Sequence, residues 1–241
     1  MPGKHSAQFT AELTRYRDLV ESALDEALTL TPNPTDAELR INEMLRYAVI
    51  GGGKRLRGIL TLAFRERISK ERVTDAIPLA AAIELLHAYT LIHDDLPCMD
   101  NDDFRRGKPS VHKAFGEWQA LLAGDALQAL AFGIAARSGK PRYVEILAQA
   151  AFDVCVGQYM DLRTYADREL LFRRKTGALF AAACMLGCDT PSAENYGYKF
   201  GLTFQLRDDI MDGDGSAVPI EIIRPDIGDD FLLELYHSIE P

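Results

Sequence analysis

The stretch IHDDLPCMDNDDFRRG, residues 92–107, packs five aspartates into the ten positions from Asp94 to Asp103 and then adds Arg105 and Arg106. Carboxylates this close repel one another unless something neutralises them. A solvated loop would meet that need with water. A site for hard divalent cations would meet it with metal, because such ions take oxygen ligands. A second cluster, FQLRDDIMDGDG at residues 204–215, repeats the pattern. Asp208 and Asp212 stand four positions apart and share one helix face, with Asp209 beside them. Magnesium rarely sits in an all-protein cage; it uses one or two carboxylates plus substrate phosphates. Facing aspartate clusters therefore imply a polyphosphate held between them through ions. The alternative is two independent solvated helix ends. An EF-hand is excluded: counted from Asp212, Ala217 falls where glycine is required and Ile223 where the bidentate glutamate should sit.

Cationic residues supply the complementary chemistry. GGGKRLRG, residues 51–58, joins three glycines, which let backbone approach a ligand, to Lys54, Arg55 and Arg57. Its bland reading is a basic surface turn. His87 lies seven residues before Asp94, two turns away on the same helix face. It is either a buried structural histidine or a donor to a diphosphate. His93 is expected to support the site rather than touch substrate.

The elements that must carry these residues read as helices almost throughout. TDAIPLAAAIELLHAYTLIHDD, which ends at Asp94 and Asp95, is apolar nearly all round, the mark of a helix buried on most sides. FTAELTRYRDLVESALDEALTL is helical and stops at TPNP. TDAELRINEMLRYAVI opens with a Thr35 or Asp36 cap and ends at Gly51-Gly52-Gly53. GEWQALLAGDALQALAFGIAAR, YVEILAQAAFDVCVGQYMDL, KTGALFAAACMLG and SAENYGYKFGLTFQLRDDIMD complete the set. Neither period-two alternation nor a hairpin signal is evident. The expected fold is all-α, a single domain over residues 1–241 built as a bundle of about ten helices.

Composition sets the outer bounds. The 241 residues are 47% hydrophobic, enough for a sizeable core, and carry a formal net charge of -9, which argues against nucleic-acid binding. Cys98, Cys155, Cys184 and Cys188 form no CxxC pair and read as structural thiols in a reducing compartment. The charged N-terminal stretch is no signal peptide, and no run of 18 apolar residues is present, so no membrane span is expected.

HDDLPCMD followed by RRGKPSVH, with GGGKRLRG before and KTGALF and GLTFQLRDDIMD after, resembles the trans-type isoprenyl diphosphate synthases, most of all the bacterial-type farnesyl diphosphate synthases. The resemblance covers about residues 40–214, in the family's motif order. It implies an all-α fold around a deep central cavity and a cytoplasmic homodimer. The implied reaction condenses isopentenyl diphosphate head-to-tail with an allylic diphosphate, dimethylallyl or geranyl, using three magnesium ions. By the same resemblance Asp94, Asp100, Asp208 and Asp212 are metal ligands, and Asp95 and Asp209 bind through water. Lys54, Arg57, His87 and Arg106 match the isopentenyl diphosphate pocket. Arg105, Lys175, Thr176 and Gln205 match the allylic side, where Lys175, Thr176 and Gln205 would steady the cation. The released diphosphate would remove the final proton.

These assignments make chemical sense. The leaving diphosphate gains charge as the C–O bond breaks, and metal ions and fixed cations stabilise it. Arginine forks suit phosphate. The allylic cation needs a dry apolar cavity. Tyr89 lies five residues before Asp94, roughly 7.5 Å deeper along the helix. An aromatic there, with an LPCM insertion, goes with a C15 product in the family. The alternative is a core aromatic that points elsewhere.

The pattern also breaks. Gly58 replaces the proline that often follows KRLR, and Phe104 replaces leucine. No lysine follows Lys199, where the family has a lysine-rich segment, and DLRTYADRELLFRRKTG is short. Either the chain is a truncated or divergent homologue, or the sequence omits segments near 163–170 and 214–232; the second is the expectation adopted. The competing functions are a non-catalytic partner subunit, a geranylgeranyl diphosphate synthase and a terpene cyclase. Two intact aspartate motifs argue against a non-catalytic subunit. Lys54, Arg57 and Arg106 argue against a cyclase, which needs no isopentenyl diphosphate pocket.

Overall fold

The computed structural model describes residues 6–211 and 227–239. Helix α1, Ala7–Ala27, starts at Ser6, whose side chain accepts from the Phe9 N–H. Helix α2, Asp36–Val49, opens on a capping box: Thr35 takes the Glu38 N–H, and Glu38 reaches back to the Thr35 N–H. The short α3, Leu56–Ala63, follows the glycine run and continues into a π-helical turn, Phe64–Ile68. Helix α4, Ile77–Asp94, has proline in its first turn and ends at the first aspartate motif. Leu79, Ile83, Leu85 and Leu86 on α4 are all fully buried, as an all-round apolar helix requires.

Helices α5, Val111–Phe115, α6, Glu117–Arg137, and α7, Pro141–Leu162, come next. Then follow α8, Arg168–Phe172, a π-helical segment Arg173–Gly177, α9, Ala178–Gly187, α10, Pro191–Met211, and α11, Asp230–His237. Helix α4 packs most extensively on α6, and α9 on α10 and α3. One continuous apolar core joins them.

The structure corrects one expectation and bears on two others. Strands β1, Phe104–Arg105, and β2, Lys108–Pro109, form a two-stranded hairpin that the sequence reading did not anticipate. Arg106 at φ 54° and Gly107 at φ 76° make its two-residue turn, and positive φ at both positions is what such turns demand. Two helical stretches, Val73–Asp94 and Glu117–Arg137, are long and apolar enough to cross a membrane. The first is mostly enclosed by other helices and is a core element; the second is less covered. Lastly, the described part of α10 runs to Met211; Asp212 and most of the window 214–232 lie outside the described residues. The window 163–170 begins as a turn, with the Thr164 N–H on the Asp161 carbonyl, and passes Asp167, the N-cap, into the start of α8.

Candidate active site

The acidic side starts where α4 stops. The Asp100 N–H donates to the Asp94 carbonyl at 2.9 Å, which folds the LPCM insertion back toward the helix end. Burial pushes the Asp94 carboxyl up to about 7; Lys175 and Arg105 oppose the rise, and Asp100 and Asp95 add to it. Asp100 accepts from Gln158 Nε2 at 3.0 Å and lies 4.0 Å from Lys175 Nζ. Asp95 turns away from this group. It is buried and clamped by Arg105, whose Nε donates to Asp95 Oδ1 at 3.0 Å while Nη2 reaches Asp102 at 3.0 Å.

Lys175 and Thr176 sit on the π-helical segment, whose wide turn is a common device at functional sites. Helix α7 comes so close to it that a Cβ at Gly157 would lie 2.4 Å from the Lys175 backbone nitrogen. Thr176 Oγ1 donates to Gln205 Oε1 at 2.8 Å, and Gln205 Nε2 donates to Asp209 at 2.8 Å. This chain of contacts ties the first aspartate motif, through Lys175 and Thr176, to the second.

The basic side faces α4 from the other direction. Arg57 is buried and lies over the Phe180 ring at 4.1 Å. Burial lowers its guanidinium to about 10, and Arg106 pushes the same way against Glu84 and Asp208. His87 is held well below its ordinary value, first by burial and then by Arg57, Arg106, Arg55 and Arg105. Arg55 and Arg105 of this cluster are already paired, with Glu21 and with Asp95. Arg57 Nε and His87 Nδ1 are both buried without a hydrogen-bond partner.

Arg106 lies against the glycine run. Its Nη1 donates to the Gly52 carbonyl at 3.0 Å, and a Cβ at Gly53 would stand 2.9 Å from Nη2. In this structure the glycines thus admit an arginine side chain rather than only a ligand. Lys54 reaches across to the Phe204 ring at 5.4 Å. Tyr89 is buried, with its hydroxyl 3.4 Å from Cys155 Sγ and its ring edge-on to His93 at 5.2 Å. His93 bonds the Leu121 carbonyl at 3.0 Å and fills the space over Gly124, so it fastens α4 to α6.

Residues 38–230 match the polyprenyl synthetase family. The chain is 36% identical over 240 residues to the farnesyl diphosphate synthase of Geobacillus stearothermophilus, covering 89% of this chain and 79% of that one. The chain belongs to the polyprenyl synthetase family. It is 37% identical over 235 residues to the chloroplastic heterodimeric geranylgeranyl pyrophosphate synthase large subunit 1 of Arabidopsis thaliana, 86% of this chain and 62% of that one. Its fold matches the crystal structure of an FPP/GFPP synthase from Zymomonas mobilis with a TM-score of 0.75 at 33% identity, over 96% of this chain and 89% of that one. The protein is a short-chain trans-prenyl diphosphate synthase with an isoprenoid synthase fold.

Two residues without a role in the sequence reading contact the candidate residues of this polyprenyl synthetase. Gln158 donates to Asp100, and Asp161 accepts from Lys175. Their i,i+3 spacing on an apolar helix was the available signal. Arg55 was grouped with Lys54 and Arg57 as a pocket charge, but at φ 54° it turns inward onto Glu21 and the Val49 carbonyl. Among the described residues no three metal-binding side chains converge to hold an ion. The donor set still suits magnesium: oxygen ligands, a carboxyl at Asp94 raised by burial, and a buried Gln158 Oε1 without a hydrogen-bond partner.

Proposed function

We propose that the protein condenses isopentenyl diphosphate with dimethylallyl or geranyl diphosphate to give mainly farnesyl diphosphate. The observation that carries this reading is the pairing of two unlike sides along α4. One is carboxylate-rich at Asp94 and Asp100; the other is arginine-rich at Arg57, Arg106 and His87. Asp94, Asp100 and Asp208, with Asp212, would hold magnesium. When bound, it supplies Lewis-acid stabilisation to the leaving diphosphate. Lys175 and Arg105 add fixed positive charge beside Asp94. The Thr176 hydroxyl and the Gln205 amide, locked to each other, present oriented dipoles to the cation. On the basic side Lys54, Arg57, Arg106 and a neutral His87 donate to the second diphosphate without metal, so that substrate keeps its leaving group.

Tyr89 is the proposed floor for chain growth. Its ring stands between α4 and α7, fixed by Cys155 and His93. The test is mass spectrometry of products from labelled isopentenyl diphosphate, each allylic starter and magnesium. Farnesyl diphosphate should dominate for the wild type. Tyr89→Ala should move products to C20 or longer, since each further buried CH₂ is worth about 0.8 kcal/mol. Identical distributions would remove Tyr89 as the floor, and a wild type that makes mainly C20 would replace the C15 assignment.

We also propose a homodimer in the cytoplasm. Trp118, Leu121 and Leu122 on α6 and Phe152 and Tyr159 on α7 are all exposed, an apolar face on helices that pack together. The domain is proposed to be single, with native segments omitted from the sequence near 163–170 and 214–232. A native mass equal to that of the 241 residues would remove this last proposal.

A further inference from the structure

Helix α3 carries Arg57 in its first turn, and that turn lacks a side-chain cap of its own: Arg55 at its N-cap is left-handed and makes no capping bond. Its third N–H, from Gly58, is instead taken by Glu84 Oε1 of α4 at 2.8 Å. Glu84 is buried, and its other oxygen lies 3.9 Å from Arg55 Nη1. Arg55 is in turn anchored on Glu21 at 2.8 Å and on the Val49 carbonyl at 2.6 Å. One carboxylate thus joins α3, α4 and the end of the glycine run.

We propose that Glu84 is a positioning residue for the basic pocket: by accepting the Gly58 N–H and facing Arg55, it fixes the first turn of α3 and with it the guanidinium of Arg57. The assignment rests on the reading of that pocket as the isopentenyl diphosphate site. Three observations support it. A carboxylate at a helix N-terminus satisfies an orphan N–H and complements the helix dipole. Gly58 permits the bond twice over. It keeps an N–H that proline would lack, and a Cβ there would stand 3.2 Å from Glu84 Cγ and 2.8 Å from Val20. Glu84 also faces the pocket electrostatically: it is the leading charge that opposes the lowering of both Arg57 and Arg106.

The test compares Glu84→Ala with Glu84→Gln, which retains an acceptor for the Gly58 N–H. Amide hydrogen exchange should show Gly58 protected in the wild type and in Glu84→Gln but not in Glu84→Ala, whatever the substrate. In steady-state kinetics Glu84→Ala should raise KM for isopentenyl diphosphate about tenfold, the scale of one hydrogen bond to a charged group. Its KM for the allylic substrate should stay within about twofold, and Glu84→Gln should stay within about threefold of wild type for both, because the acceptor is kept. An equal rise for both substrates, unchanged kinetics in Glu84→Ala, or a Gly58 amide unprotected in the wild type would overturn the inference. A wild type that does not turn over isopentenyl diphosphate, with Gly58 behaving as expected, would instead overturn the functional reading and leave Glu84 as a cap for α3.

Discussion

Asp94 is a side chain whose burial is costly to the fold and which the proposed chemistry needs. Burial and two neighbouring carboxylates raise it to about 7 in the metal-free protein, against about 3.9 for a free aspartate. The unfolded chain therefore releases this proton at lower pH than the folded chain does. Folding stability falls as pH rises from about 4 to about 7 and is level beyond that. Without magnesium, Asp94→Asn should melt higher than the wild type at pH 8, and the gap should close near pH 4. The same variant should lose turnover by about a thousandfold or more, because metal ligation supplies several kcal/mol to the transition state. A variant that melts lower at pH 8, followed by circular dichroism without metal, would contradict the account of Asp94. Residue types and spacing single out Asp94, Arg57 and His87 as candidates from sequence. They could not reveal Arg55, whose inward turn depends on one left-handed backbone angle.

At the scale of elements, the close approach of α7 to the Arg173–Gly177 segment positions Lys175, on the proposed allylic side. The backbone of Lys175 lies where any side chain at position 157 would go. Gly157→Ala should push the π-helical turn outward, break the Lys175 contacts with Asp161 and Asp100, and raise KM for the allylic substrate more than for isopentenyl diphosphate. Overpacking of this kind should also cost about 1–3 kcal/mol of stability, measurable by urea unfolding. An unchanged KM pair would show that the turn absorbs the methyl group elsewhere. Helix existence was read well because apolar periodicity runs for three turns or more in every long helix. The Thr35 cap was equally visible, since it is a local pattern. The hairpin at 104–109 was not, because two-residue strands have no period to detect; the only sign was Arg106-Gly107 at the turn.

At the scale of the molecule, the exposed apolar face of α6 and α7 should be buried between two copies. Trp118→Glu combined with Leu122→Glu should convert a dimer to a monomer in sedimentation velocity, and a wild type that sediments as a monomer at micromolar concentration would refute the dimer. The same face explains why α6 is apolar enough to pass for a membrane span while α4 is simply core. The order of the motifs along the chain made the overall fold legible. How the two sides of the site divide their labour was not, because it depends on which side chains are already satisfied by protein partners. The central claim is that division: metal-dependent binding at the aspartate side, metal-free binding at the arginine side. It is tested most directly by equilibrium binding of isopentenyl diphosphate, and of a non-ionising thio-analogue of dimethylallyl diphosphate, with magnesium and with EDTA. The account predicts that EDTA leaves the affinity for isopentenyl diphosphate within about twofold and abolishes binding of the analogue, whose contacts need an ion between carboxylate and phosphate. Equal loss of both ligands in EDTA, or retention of both, would contradict it.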